Sequence, residues 1–298
     1  MAKQSRTIQE QIDLLKSRNM LFEDEVEATK CLANVSYYRL KGYWWEMQDD
    51  KVNHHFINGS YFENVIELYN FDIRFRLIVF HAIERIEIAL RTKMIYQLSS
   101  AYGPEWYLDS SLFSNNKHFS DFQINIHTGL KKSSEVFLLE HYRNHPKECP
   151  ECWKALEILT LGSLSKLYQN LDHQLPEKNK IAKEFGLYNQ KYVSSWLGTI
   201  TFIRNIIAHH SRLWNRDIII KYAWPDKSIQ SILDYIPNNY QRRKVFPILS
   251  AIIYLNTFIS PEHQVKNDLL ALFDKFKNVP LYKMGFPKKW EQQPIWKI

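Results

Sequence analysis

The chain has 298 residues, of which 45% are hydrophobic and 24% are charged, a balance that excludes an intrinsically disordered protein. Its net charge of +7 favours a polyanionic partner such as nucleic acid, with an ordinary basic protein as an equal alternative. Three cysteines are too few for a disulfide framework and indicate a reducing compartment.

Secretion and membrane insertion are not expected from the apolar segments. The first residues carry no apolar signal-peptide core. The longest apolar stretch, Val245 to Ile259, falls short of the roughly 20 residues that span a bilayer and predicts a buried helix. We therefore expect a cytoplasmic protein with no membrane partner.

Helical periodicity dominates the chain and predicts an all-α fold. Thr7 is placed to cap the first helix. Residues 61–98 carry a strong helical pattern, with a break expected near Asn70–Asp72. A single further helix is predicted over Phe119–Arg143.

Other segments complete the predicted organisation. Residues 54–60 predict a loop, with a short hairpin over 52–62 as the alternative. A helix is predicted over 189–207 and another over 227–235. The simplest interpretation is a single domain over residues 1–298, with residues 1–60 as an appended N-terminal lobe in the alternative view.

The helix over 189–207 runs into a polar segment, RNIIAHHSRLWNRD, in which Arg204 and His209 form an Arg-x4-His pair. A ribonuclease that works without metal needs such groups. An imidazole can take the proton of the 2′-hydroxyl or protonate the 5′ leaving oxygen. A guanidinium can hold the phosphate oxygens as negative charge grows on them.

The spacing by itself carries little weight, because Arg76 and His81 satisfy the same rule. That second pair encloses an apolar segment inside a helix, and we interpret it as structural. Positions five apart also do not share one helix face. The pair Arg204 and His209 could therefore cooperate only near a helix end or with a second copy of the site.

The longer segment WLGTITFIRNIIAHHSRLWNRD closely resembles the signature of the abortive-infection (Abi-like, AbiD/AbiF) proteins of the HEPN superfamily. The residues that carry the resemblance are Trp196, Leu197, Arg204, Asn205, Ala208, His209, His210, Arg212, Leu213, Trp214, Asn215 and Arg216. Family members often have Cys where this chain has Ile207, a change that does not touch the proposed chemistry. The segments VSYYRLKGYWW, FDIRFRLIVFHAIERIEIALRTKMIY and EILTLGSLSKLYQNL are also similar, so that most of residues 30–220 is covered.

The resemblance implies a HEPN-like helical bundle with additional N- and C-terminal helices, often dimeric, and a role in phage defence. It implies that Arg204 and His209 line a cleft as the catalytic pair. Asn205 would orient the histidine or the phosphate, while His210, Arg212 and Arg216 would support the site or position RNA. The alternative is a buried polar cluster that caps the helix and holds the next loop.

Two other groups of residues are candidates for supporting roles. Glu84, Glu87 and Arg91 could form a carboxylate pair with an arginine clamp, but an ion network on one helix face that positions Arg204 is favoured. The aromatic and basic residues Tyr38, Arg39 and Lys41 predict an RNA-binding edge, with packing of the N-terminal lobe as an equal alternative.

A zinc site formed by His141, His145, Cys149 and Cys152 is not favoured, because only one CxxC pair is present. No metal or other cofactor is expected. The sequence lacks the phosphate-binding motif GxxxxGK[ST], the serine-hydrolase motif GxSxG and the zinc-protease motif HExxH. Their absence excludes the common nucleotide hydrolases, serine hydrolases and zinc proteases.

The sequence thus predicts a metal-independent endoribonuclease in antiphage defence, toxic when released and restrained by a cognate non-coding RNA or another partner. A homodimer would bring two Arg–His pairs into one site. The alternatives are a protein that binds a structured RNA without cleaving it and, with less support, a sensor of a phage component.

Overall fold

The structure, a computed structural model, describes residues 4–226 and 231–297. The described residues form twelve α-helices and one two-stranded sheet, which confirms the predicted all-α fold. Two compact units are present. The first covers the described residues of Met1–Leu77 together with Leu269–Val279, and the second covers Ile78–Asp268 together with the described residues of Pro280–Ile298.

The first unit contains short helices and a hairpin, followed by the beginning of a long helix. Its elements are α1 (Ile8–Ser17), α2 (Glu25–Asn34), α3 (Tyr37–Trp44), β1 (Gln48–Asp50), β2 (His55–Phe56), the first part of α4 (Phe62–Tyr102) and most of α12 (Val265–Lys275). As predicted, Thr7 caps α1, and a capping box forms with Glu10. A hairpin forms, but over residues 48–56, because Asp50 accepts hydrogen bonds from the backbone of the turn.

The break predicted near Asn70–Asp72 is wrong, since α4 continues through it. Asp72 is fully buried and accepts hydrogen bonds from the Tyr43 hydroxyl at 2.8 Å and from Arg76 Nε at 3.1 Å. A carboxylate that is paired twice can remain inside a helix at a buried position. Arg76 therefore has the structural role expected of it, and His81 in the same Arg-x4-His spacing is exposed.

The second unit contains the rest of α4 and most of the remaining helices. These are α5 (Asn116–Lys132), α6 (Val136–Asn144), α7 (Cys152–Ala155), α8 (Leu161–Asn170), α9 (Pro176–Glu184), α10 (Gln190–Ala208) and α11 (Val245–Ile259). The helix predicted over Phe119–Arg143 is two helices, which separate at residues 133–135. Part of the helix predicted over 227–235 lies outside the described residues, and residues 231–235 form turns and bends.

α8 and α10 pack side by side in opposite directions. A Cβ atom on Gly162 would lie 3.5 Å from the Thr201 side chain, and the Gln169 amide donates to the Ser194 carbonyl at 3.2 Å. The two helices are therefore in contact near both ends of α8. α11 is buried on all sides over residues 245–256, as predicted. Among the described helices, none is long and apolar enough to cross a bilayer.

Candidate functional site

The last turns of α10 present the polar residues of the motif to solvent. Ile203, Ile206 and Ile207 are buried, because an α-helix places residues three and four positions apart on one face. The intervening positions therefore point outward. Arg204 is partly buried, and Asn205 and His209 are exposed.

α10 ends in a Schellman motif at His210. The His210 N–H donates to the Ile207 carbonyl and the Ser211 N–H to the Ile206 carbonyl, both at 2.9 Å. His210 has a φ of 54°, in the left-handed region that is costly for a residue with a side chain. Glycine is usual at this position, and a histidine there has a conformational cost.

Arg204 and His209 diverge within one copy of the chain. At 100° and 1.5 Å per residue, their Cα positions are separated by about 140° around the helix axis and roughly 7.5 Å along it. Among the residues that the structure describes, neither side chain has a hydrogen bond or ion pair. Both polar groups are therefore open to a ligand.

The loop after α10 is held by an aromatic and ionic cluster. Trp214 is buried, and the guanidinium of Arg212 lies 5.7 Å from its ring centroid. Asn215 is a second left-handed residue, with a φ of 48°. Arg216 points to solvent.

Asp217 ties this loop to the segment before α11. Its carboxylate pairs with Arg243 at 2.8 Å and with Lys244 at 3.0 Å. Partial burial raises the pKa of Asp217, but the hydrogen bonds and charges of the two cations outweigh it, and the pKa is lowered on balance. The acid therefore stays charged and keeps the loop in place at neutral pH.

Of the three candidate residues on α4, Glu87 and Arg91 share an ion network and Glu84 does not. Arg91 donates to Glu87 at 3.3 Å, to Glu157 at 3.3 Å and to the Leu159 carbonyl at 2.8 Å. The network joins α4 to the segment that precedes α8. Glu84 is exposed and has no hydrogen bond or ion pair with any described residue, so it is not part of this network.

The predicted RNA-binding edge lies in the first unit. Tyr38 is 78% exposed and Arg39 is also exposed, on the outer side of α3. Lys41 and Lys51 lie 5.5 and 5.6 Å from the ring centroid of Trp45. Sequence reasoning did not assign Trp45 and Lys51 to this edge. Lys51 comes close to the Trp45 ring only because the hairpin folds back.

The segment with His141, His145, Cys149 and Cys152 is held by packing and hydrogen bonds. Among the described residues, no group of three or more His, Cys, Asp or Glu side chains could hold a metal ion. Burial raises the pKa of the thiols of Cys149 and Cys152, which keeps them protonated. The Tyr107 hydroxyl donates to the Pro150 carbonyl at 2.5 Å and closes the segment.

Cationic groups near the motif that sequence reasoning missed come from distant segments. Lys283 lies 6.0 Å from the ring centroid of Trp214, and Arg243 and Lys244 pair with Asp217. Their signal in the sequence is weak, because Lys and Arg are common at the surface and nothing local links residues 243 and 283 to residue 204.

Comparison with known proteins finds a family match. The model of a family described as "Abi-like protein" matches residues 30–215, which is more than half of the chain and includes Arg204 and His209. No curated protein and no solved structure matches the chain.

Proposed function

The chain belongs to the Abi-like protein family, and on that premise we propose that it is a HEPN-type endoribonuclease of abortive-infection phage defence that works without a metal ion. The observation that carries the proposal is the end of α10. There, the partly buried Arg204 and the exposed His209 have no side-chain hydrogen bond or ion pair to any other described residue.

These groups supply what cleavage of RNA by its own 2′-hydroxyl requires. An imidazole takes the 2′-hydroxyl proton, the 2′ oxygen attacks phosphorus, and the bond from phosphorus to the 5′ oxygen breaks. The 5′ oxygen leaves as a hydroxyl once a second acid has protonated it. The products are a 2′,3′-cyclic phosphate and a 5′-hydroxyl, and Arg204 stabilises the charge on the non-bridging oxygens.

A single imidazole cannot stand on both sides of the phosphate in one step. The angle of about 140° between Arg204 and His209 also keeps them from closing on one phosphate within one copy. A homodimer that places two α10 ends together would provide two imidazoles and two guanidiniums. We propose that the active form is this dimer, with Asn205 orienting the imidazole or the phosphate.

The test is cleavage of RNA in EDTA by the purified protein, with mapping of the product ends. His209→Ala should lose about 100-fold or more in rate, and Arg204→Ala about 100- to 1,000-fold. His81→Ala is the matched control, because it removes another exposed histidine that follows an arginine by five positions. Unchanged cleavage in His209→Ala, or equal losses in His209→Ala and His81→Ala, would remove His209 from the mechanism.

The divergence of Arg204 and His209 favours a second candidate function, a protein that binds a structured RNA through phosphates and does not cleave it. In that case, RNA that co-purifies with the protein stays intact and lacks cyclic-phosphate ends. Arg204→Ala would lower RNA affinity without changing any cleavage rate. A discrete co-purifying RNA would also identify the restraining partner, and its absence would speak against RNA-mediated restraint.

A further inference from the structure

Three segments that are distant in sequence meet beside the end of α10. The loop that follows α10 contacts the segment before α11 through the Ile218 N–H, which donates to the Arg243 carbonyl at 2.7 Å. The C-terminal segment closes on both, because Lys283 lies 6.0 Å from the Trp214 ring centroid. A Cβ atom on Gly285 would lie 2.5 Å from the Cβ of Lys244.

The cations of these segments form what we call the C-terminal basic surface. Its charged members are Arg204, Arg212, Arg216, Arg242, Arg243, Lys244, Lys283, Lys288 and Lys289, with Asp217 as the one acid within residues 204–217, 240–244 and 281–289. These residues carry a net charge of +8, whereas the whole chain carries +7. The three segments therefore account for the positive surplus of the chain, since +7 less +8 leaves −1 for all other residues.

Two tyrosine side chains extend from the same segments into solvent. Tyr240 is 71% exposed and Tyr282 is 70% exposed. The ammonium group of Lys244 lies 6.0 Å from the Tyr240 ring centroid. Exposed aromatic rings beside cations are the combination with which proteins hold unpaired bases, since each ring stacks on a base while the cations contact the phosphates.

We propose that the C-terminal basic surface binds single-stranded RNA and continues the track that begins at Arg204 and His209. Tyr240 and Tyr282 stack on bases, and Lys288 and Lys289 contact phosphates. Arg212, three residues after His209, connects the surface to the pair. Seven of its nine cations lie beyond residues 30–215 of the family match. The inference rests on the proposed action on RNA.

An unpaired strand fits this surface better than a duplex. Bases inside an A-form helix are stacked on one another, so their faces are closed to tyrosine rings. Cations alone would bind either form through its phosphates. The tyrosines therefore distinguish single-stranded RNA from duplex RNA and from an acidic protein, which offers no bases for stacking.

The binding test uses fluorescence anisotropy with a labelled 2′-O-methyl oligouridylate of about 16 nucleotides, which lacks the 2′-hydroxyl that the proposed cleavage requires. Tyr240→Ser and Tyr282→Ser should each weaken binding by about 5- to 100-fold. Tyr240→Phe and Tyr282→Phe should bind like the wild type, because the ring is kept. Tyr96→Ser, which removes a tyrosine that is 67% exposed on α4, is the matched control.

The charge test compares salt dependence. Changing Lys288 and Lys289 to Gln should lower the slope of log affinity against log salt by about 0.7 for each phosphate that the variant no longer neutralises. The same change at Lys131 and Lys132, two adjacent exposed lysines at the end of α5, should leave the slope unchanged.

The inference is overturned if the serine variants of the tyrosines bind as tightly as the wild type with unchanged thermal unfolding. Equal affinity for duplex RNA, binding of an acidic protein in preference to the oligouridylate, or no binding of the probe would also overturn it. Failure of the proposed function gives a different result. In that case Arg204→Ala and His209→Ala would cleave RNA at the wild-type rate, whatever the RNA affinity of the tyrosine variants.

Discussion

Arg91→Met tests whether the ion network on α4 is structural. The Arg91 side chain is 11% exposed and satisfies Glu87, Glu157 and the Leu159 carbonyl together. Methionine has a similar length and is apolar, so the change removes the guanidinium while keeping most of the packing. Glu87, whose side chain is 19% exposed, would then have no cation beside it.

The expected destabilisation follows from these interactions. A hydrogen bond from a charged donor to a carbonyl contributes about 1.5–3 kcal/mol. The pair with Glu157 adds little, because that carboxylate is 46% exposed. Leaving Glu87 partly buried without its partner costs about 1 kcal/mol more. We expect a free energy of unfolding lower by about 2.5–4 kcal/mol, which corresponds to a midpoint lower by roughly 5–16 °C.

The assay is thermal and urea unfolding of Arg91→Met beside Glu84→Gln, which alters the exposed neighbour that is not part of the network. Glu84→Gln should unfold like the wild type. Under the proposed function, RNA cleavage measured well below the unfolding midpoint should be retained by both variants. Unfolding of Arg91→Met at the wild-type midpoint would refute the structural interpretation, and a reduced cleavage rate with unchanged stability would assign Arg91 to the site instead.

Three further predictions concern stability. Burial lowers the pKa of Lys178 to about 8, so the unfolded chain binds more protons than the folded chain between pH 8 and about 10.5. The free energy of unfolding should therefore rise with pH in this range by up to about 3 kcal/mol. Lys178→Met should flatten this part of the curve of unfolding free energy against pH. Gly186→Ala should lower the free energy of unfolding in urea by about 1–3 kcal/mol. Gly103→Ala should lower it by less. Both glycines have a positive φ, but only at Gly186 would the new Cβ overlap another side chain, the Phe258 ring. Asn215→Gly should leave the free energy of unfolding unchanged or raise it by less than about 1 kcal/mol, because Asn215 has a left-handed φ of 48°; a lower RNA affinity with unchanged stability would show that the Asn215 side chain contacts RNA.

Local physics determined much of the fold and of the motif. The helical period, the Thr7 cap and the apolar stretch of α11 depend on neighbours within a few residues, so the all-α class could be predicted from them. The position of Arg204 at the end of an apolar helix is equally local. The polar residues after it cannot continue a buried helix face, which is why the sequence already indicated where α10 ends.

Tertiary packing decided what depends on partners far along the chain. The sequence predicted a helix break at Asp72, but Tyr43, 29 residues away, donates a buried hydrogen bond to its carboxylate. Glu84 and Glu87 look alike in the sequence, and only the hydrogen bonds of Arg91 with Glu157 and Leu159 place Glu87 in a structural network. The C-terminal basic surface is the clearest case. Its cations come from segments around residues 212, 243 and 283, and no periodicity or local spacing connects segments that meet only when the chain is folded.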